Sequence, residues 1–105
     1  MSKLDKINTK ELDKLEQYLK DKSIPYIRID QDEDEVTSLN RHQIMVFDSE
    51  DMTTRLWDAI CQKYSYGYEQ GLLEIMGKPV VKDEDMDTVV GYLTAEDVIK
   101  RLEDN

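Results

Sequence analysis

This sequence of 105 residues is poor in the residue types on which many activities depend. It has one cysteine, Cys61, which excludes an intrachain disulfide bond and suits a reducing cytosol. One cysteine and one histidine cannot supply the four nitrogen and sulfur ligands of a structural zinc site. The four glycines match neither the Walker spacing nor the dinucleotide-binding spacing, which excludes these phosphate-binding loops.

Basic residues are also scarce, because 14 lysines and arginines face 24 aspartates and glutamates, for a net charge of −10. This sign excludes nonspecific nucleic-acid binding, and an anionic membrane surface would repel the chain. No apolar run approaches the roughly 18 residues of a membrane span, and residues 1–6 lack the apolar core of a signal peptide. We therefore expect one compact acidic domain over residues 1–105, located in the cytoplasm.

Helices are predicted at both ends of the chain. Residues 9–21 have leucines at helical spacing, with Asn8 as the cap and Glu11 completing a capping box. The last helix begins after Thr94 and carries acids in its first turn and bases in its last.

Strands are predicted between these helices. Residues 24–30 alternate, and Pro25 favours an edge position. Residues 43–47 are apolar on both faces, as in a central strand. Residues 53–62 fit a strand that forms a hairpin with this segment, although a helical stripe is the alternative.

A middle helix is predicted over residues 66–76, ending at Gly77, and residues 79–81 are predicted to be extended. The fold class is therefore α+β: a small antiparallel sheet of about three strands packed with N-terminal, middle and C-terminal helices. Core positions follow from the same patterns and are Ile44, Val46, Trp57, Leu72, Ile75 and Val98.

Two acidic segments without periodicity are predicted to be solvated loops. The first begins at Asp30 and resembles the start of a calcium-binding EF-hand loop, but Glu35 replaces the required glycine and Arg41 the bidentate glutamate. The second begins at Asp83 and fails in the same way. We expect no metal and no other cofactor.

A thiol hydrolase is conceivable only from Cys61, His42 and Asn40, which the predicted hairpin would bring near one another. No oxyanion site accompanies them, and the acidic balance would raise the pKa of the thiol. We predict a buried cysteine and no enzyme.

Tyrosines provide the clearest functional signal. Tyr64, Tyr66 and Tyr68 alternate along the chain, and Tyr92 is a fourth outside this cluster. Tyrosine combines apolar area with a polar tip and is enriched among binding hot spots. At least one of the three is predicted to be an exposed anchor.

Three strings in the second half of the chain carry a resemblance: RLWDAIC at 55–61, SYGYEQGLLEIMG at 65–77 and GYLTAEDVI at 91–99. Together they resemble small uncharacterised proteins encoded by phages and prophages of Gram-positive bacteria. The first half fits their helix-then-strands layout more loosely. The resemblance implies an accessory phage protein in the host cytoplasm, a group that includes anti-CRISPR inhibitors that are acidic and mimic DNA. It implies no catalytic residues.

These observations predict a binding inhibitor that blocks the basic surface of a host nucleic-acid-binding enzyme. The alternative is a structural or regulatory interaction module without DNA mimicry, with a homodimer left open. We expect no direct contact with nucleic acid or membrane. The predicted partner-binding residues are Asp30, Asp32, Glu33, Asp34, Glu35, Tyr64, Tyr66, Tyr68, Asp83, Glu84, Asp85 and Asp87.

Overall fold

The computed structural model describes residues 7–32 and 40–104, which form a five-stranded antiparallel sheet and two α-helices. The strands follow chain order across the sheet, so each one pairs with its neighbours in sequence. The helices are α1 (Lys10–Asp21) and α2 (Ala95–Glu103). The strands are β1 (Tyr26–Gln31), β2 (Arg41–Phe47), β3 (Arg55–Ile60), β4 (Leu73–Met76) and β5 (Val89–Leu93).

Both terminal helices are confirmed, but their ends are tied together in a way that the sequence did not show. The N-cap of α1 is Thr9, without a side-chain cap, rather than Asn8 as predicted, and Asn8 Oδ1 accepts a hydrogen bond from Lys10 N at 3.0 Å. Glu11, predicted to complete that cap, instead accepts a hydrogen bond from Ala95 N at 2.7 Å. Glu11 thereby satisfies an orphan amide at the start of α2 and joins the two helices. Thr94 caps α2, as predicted.

The first three strands are also confirmed. β1 is an edge strand, β2 lies inside the sheet, and residues 55–60 form β3 rather than a helix. The hairpin of β2 and β3 pairs Ile44 with Ala59 and Val46 with Trp57, with a bulge next to Phe47.

The predicted count of three strands and the middle helix over residues 66–76 are wrong. Gly67 and Gly71 both adopt left-handed backbone conformations, so they bracket only a short 3-10 turn (Tyr68–Gln70). The chain then enters β4, where Leu73 and Ile75 point into the core and Met76 is exposed. β5 is the fifth strand, and its Val90 pairs with Ile75 of β4.

Two smaller expectations also need correction. Residues 79–81 belong to a turn in which Val80 N and Val81 N both bond to Gly77 O. Leu72 is only half-buried, whereas the other five predicted core residues are buried.

The two helices cover one face of the sheet. Leu12, Leu15 and Leu19 of α1 and Val98 of α2 are fully buried in the core. Their sheet partners alternate along the strands and are also buried: Ile44, Val46, Trp57, Ala59, Leu73 and Ile75. The opposite side of the sheet, which we call the open face, is covered by neither helix.

Candidate interaction surface

A row of side chains crosses the open face on all five strands. The strand register places Ile27 beside Met45, Met45 beside Asp58, Asp58 beside Met76, and Met76 beside Val89. Four of the five residues are apolar, and the one acid stands at the centre.

The apolar side chains of the open face remain accessible. Met76 is 49% exposed, Leu56 41% and Ile27 39%. The others on this face are half-buried, and they are Ile29, Met45, Phe47, Ile60 and Val89. Isolated exposed apolar residues are ordinary, whereas several neighbouring ones on one face of a sheet make that face a candidate interaction surface.

The central carboxylate is held by a chain of hydrogen bonds. Gln43 Nε2 donates to Asp58 Oδ2 at 2.7 Å, and Gln43 Oε1 accepts from Nε and Nη2 of Arg41 at 3.0 and 2.7 Å. Burial raises the pKa of Asp58, although the Gln43 hydrogen bond and the charge of Arg55 act in the opposite direction. Asp58 is therefore a half-buried carboxylate that Gln43 holds in place.

Tyr66 and Tyr92 form a stacked pair beside β5. Their ring centroids are 6.5 Å apart with an interplanar angle of 15°, and the side chains are 57% and 61% exposed. Tyr92 has a left-handed backbone with φ 61° and donates its amide to Tyr66 O at 3.3 Å. A bulky residue in this conformation is strained, and the strain is not offset by burial of the ring.

Gly91 permits the close approach of Tyr66 to β5. A Cβ at Gly91 would lie 2.2 Å from Tyr66 Cβ, which no real structure tolerates. Strand alternation directs that position to the open face, because Val90 points toward the core. Tyr66 N also donates to Glu74 Oε1 at 2.8 Å. Tyr66 therefore stands over the β4–β5 end of the open face and borders it.

The other two tyrosines of the predicted cluster differ from each other. Tyr64 is 72% exposed, also has a positive φ of 75°, and carries Lys63 Nζ 5.7 Å from its ring centroid. Tyr68 is half-buried against the core, and its ring meets Tyr64 edge-on with centroids 6.4 Å apart.

The described residues of the first acidic segment, Asp30 and Asp32, contact basic side chains of the same chain. His42 lies between two carboxylates, with Nδ1 2.8 Å from Asp30 Oδ1 and Nε2 3.1 Å from Asp32 Oδ1. Arg28 contacts Asp30 as well, at 2.8 Å. Burial works against ionisation of Asp30, yet the hydrogen bonds from His42 and Arg28 lower its pKa. Glu33, Asp34 and Glu35 lie outside the described residues.

The second acidic segment is only partly held by contacts with basic side chains. Arg101 contacts both oxygens of Asp85, at 2.8 and 3.1 Å, and these hydrogen bonds lower the pKa of Asp85. Asp83, Glu84 and Asp87 are exposed.

The fold keeps these two segments apart. Asp30 and Asp32 follow the edge strand β1, whereas Asp83–Asp87 precede the opposite edge strand, β5. Four interstrand spacings separate the two edges, about 19 Å in total. The carboxylates therefore do not form one strip within the part of the chain that the structure describes.

The conceivable thiol hydrolase triad is not assembled. Cys61 is fully buried and its thiol contacts Asn8 O at 3.4 Å, while the His42 ring is held by Asp30 and Asp32. Asn40 Oδ1 accepts from Lys63 N. Burial raises the pKa of Cys61 to about 11, which suppresses the thiolate at neutral pH.

Within residues 7–32 and 40–104, no group of three histidine, cysteine or acidic side chains could hold a metal ion. Neither α1 nor α2, the α-helices within these ranges, has the length and apolar composition of a membrane-spanning segment.

Comparison with known proteins found no relative of this chain. No family model matches the chain, and neither a curated protein nor a solved structure is significantly similar to it. The resemblance to phage proteins therefore stays a prediction from the quoted strings.

The exposed tyrosines were predictable from the sequence, whereas the open face was not. The apolar alternation of residues 44–47 revealed a strand with two apolar faces, which suggested burial on both. The alternation of Leu56, Asp58 and Ile60 was the available signal that one face is accessible.

Proposed function

We propose that this protein is an interaction module that binds a partner protein through the open face of its sheet. The observation that supports this function is the row from Ile27 to Val89, which presents apolar side chains on a face that neither helix covers. A sheet of this size usually hides such a face, because exposed apolar area promotes aggregation.

Tyr66 and Tyr92 extend the proposed surface at its β5 edge. Their rings present large, rigid contact area, and aromatic residues of this kind dominate the energetics of many interfaces. The strained backbone of Tyr92 supports a role in binding, since strain of this kind collects at ligand-contacting positions.

The inhibitor of a basic, nucleic-acid-binding enzyme is the second candidate. The net charge of −10 and the exposed Asp83, Glu84 and Asp87 favour it. In either case the similarity to phage and prophage proteins would place the partner in the cytoplasm of a bacterial host.

A pull-down from bacterial lysate with matched variants separates the two functions. Met76→Gln removes apolar area from the open face next to Asp58, whereas Met86→Gln makes the same change in the acidic segment, where Met86 is 92% exposed. Both substitutions conserve side-chain length and net charge. We expect Met76→Gln to reduce the recovery of a specific partner by about tenfold, an effect of about 1.4 kcal/mol, and Met86→Gln to leave it unchanged.

Salt provides the second comparison. Binding through the open face persists at high salt, while binding through the acidic segments is lost because exposed charges are screened. Salt-sensitive recovery that Met76→Gln leaves intact would reject the open face and favour the inhibitor.

A further inference from the structure

We propose that Asp58 is the specificity-determining residue of the open face and selects a partner segment that places one arginine or lysine among apolar side chains. This inference rests on the proposed function and adds the chemistry of the partner. It follows from the position of one carboxylate, from its hydrogen bonding, and from its lack of an ion-pair partner among the described residues.

The position of Asp58 is central. It lies on the middle strand of the sheet, with Met45 on one side and Met76 on the other in the row that crosses all five strands. A partner that covers this row must therefore cover Asp58 and remove its remaining water.

The hydrogen bonding leaves one oxygen of Asp58 available. Gln43 Nε2 occupies Oδ2, and Arg41 fixes Gln43 from its other side. Among residues 7–32 and 40–104, no lysine, arginine or histidine lies within ion-pair distance of Asp58, while Asp30 and Asp85 both have such partners. Arg55 is the cation whose charge acts on Asp58 from a greater distance.

These features disfavour a purely apolar partner. Covering an unpaired carboxylate removes its hydration without replacement, and this costs several kcal/mol in proteins. A cation that binds Oδ1 offsets that cost. Asp58 therefore weakens the binding of neutral partners more than it strengthens the binding of cationic ones. Selection by such a penalty is a common source of specificity at interfaces.

The same features disfavour a second copy of this chain as the occupant. A symmetric dimer through the open face would bring the central Asp58 side chains of the two copies near the symmetry axis. Each copy also carries a net charge of −10, so the long-range force between copies is repulsive.

A displayed library of random dodecapeptides, selected against the folded protein in parallel with its Asp58→Asn variant, tests the proposal. The variant keeps an acceptor for Gln43 and changes only the charge. Glu96→Gln is the matched control, because it removes one charge from an exposed residue of α2, on the other side of the sheet.

We expect peptides selected by the parent protein to contain an arginine or lysine flanked by apolar residues. Their affinity should fall at least about thirtyfold with Asp58→Asn, or when the basic residue is replaced by norleucine, and the two changes together should cost little more than either alone. Glu96→Gln should leave the affinity unchanged.

Other outcomes reject different parts of the proposal. Peptides that lose affinity with Met76→Gln but show no basic residue and no response to Asp58→Asn would overturn the role of Asp58 and leave the proposed function standing. Peptides that bind Met76→Gln as tightly as the parent would overturn the open face itself. Self-association at neutral pH that Met76→Gln abolishes would identify a second copy as the occupant and would also overturn the role of Asp58.

Discussion

Asp58 accepts a hydrogen bond from Gln43 Nε2 at 2.7 Å, on the side of the sheet opposite the helices. The two residues come from neighbouring strands, and Gln43 is buried although it belongs to the open face. This pair fixes a carboxylate in an apolar surface, an arrangement that is costly for folding and useful for selective binding.

Asp58→Asn should stabilise the folded protein at neutral pH. The pKa of Asp58 is raised in the fold, so ionisation of this residue favours the unfolded chain, and a neutral isostere avoids that penalty. The advantage of the variant should be full above the raised pKa and should shrink as the pH falls toward the unfolded pKa. Urea unfolding at several pH values measures this difference. Equal stability of variant and parent at every pH would contradict the burial of the carboxylate.

Gly91→Ala should displace Tyr66 and destabilise the protein by about 1–3 kcal/mol, as overpacking does. The added Cβ would meet Tyr66 Cβ at 2.2 Å. Tyr66→Gly removes that contact, so Gly91→Ala should cost much less in the Tyr66→Gly background. Thermal unfolding of the four proteins completes this double-mutant cycle. Identical costs in both backgrounds would show that Tyr66 does not pack on Gly91.

Cys61 should react very slowly with iodoacetamide in the native protein. Its thiol is fully buried, and its pKa of about 11 leaves little thiolate at neutral pH. Mass spectrometry should show rapid alkylation only after denaturation. Fast modification of the native thiol would contradict this burial and would reopen the question of nucleophilic chemistry.

Asp85→Asn should remove part of the acid sensitivity of the fold. The pKa of Asp85 is lowered by Arg101, so its contribution to stability is present above the unfolded pKa and is lost as the pH falls through the folded pKa. The parent should therefore lose more stability between neutral and strongly acidic pH than the variant. Asp87→Asn, a matched change at an exposed carboxylate of the same segment, should retain the acid sensitivity of the parent.

The predictable part of the fold is the part with local signals. The leucine spacing of α1 and the capping box of α2 lie within single segments, and so does the alternation of β1 to β3. Residues 66–76 carry a helical spacing of apolar residues, but Gly67 and Gly71 adopt left-handed conformations that break it. β5 depends on pairing between Val90 and Ile75, which no local pattern contains.

The site divides in the same way. Exposure of at least one tyrosine was predicted from the alternation of Tyr64, Tyr66 and Tyr68 and from the polar tip of this side chain, and Tyr64 and Tyr66 are exposed. The open face could not be predicted from the sequence, because the placement of both helices on one side of β2 is decided by tertiary packing. Without it, Met45 and Phe47 are indistinguishable in sequence from Ile44 and Val46.

Methionine methyl NMR tests the proposed binding surface most directly. The described residues place Met45 and Met76 on the open face, Met52 in the turn between β2 and β3, and Met86 in the acidic segment. Protein labelled with ¹³C at the methionine methyl groups is titrated with the partner recovered from lysate or with a selected peptide. We predict that the Met45 and Met76 signals shift or broaden while the Met86 signal stays in place. A shift confined to Met86, with Met45 and Met76 unmoved, would contradict binding through the open face and place the contact on the acidic segment.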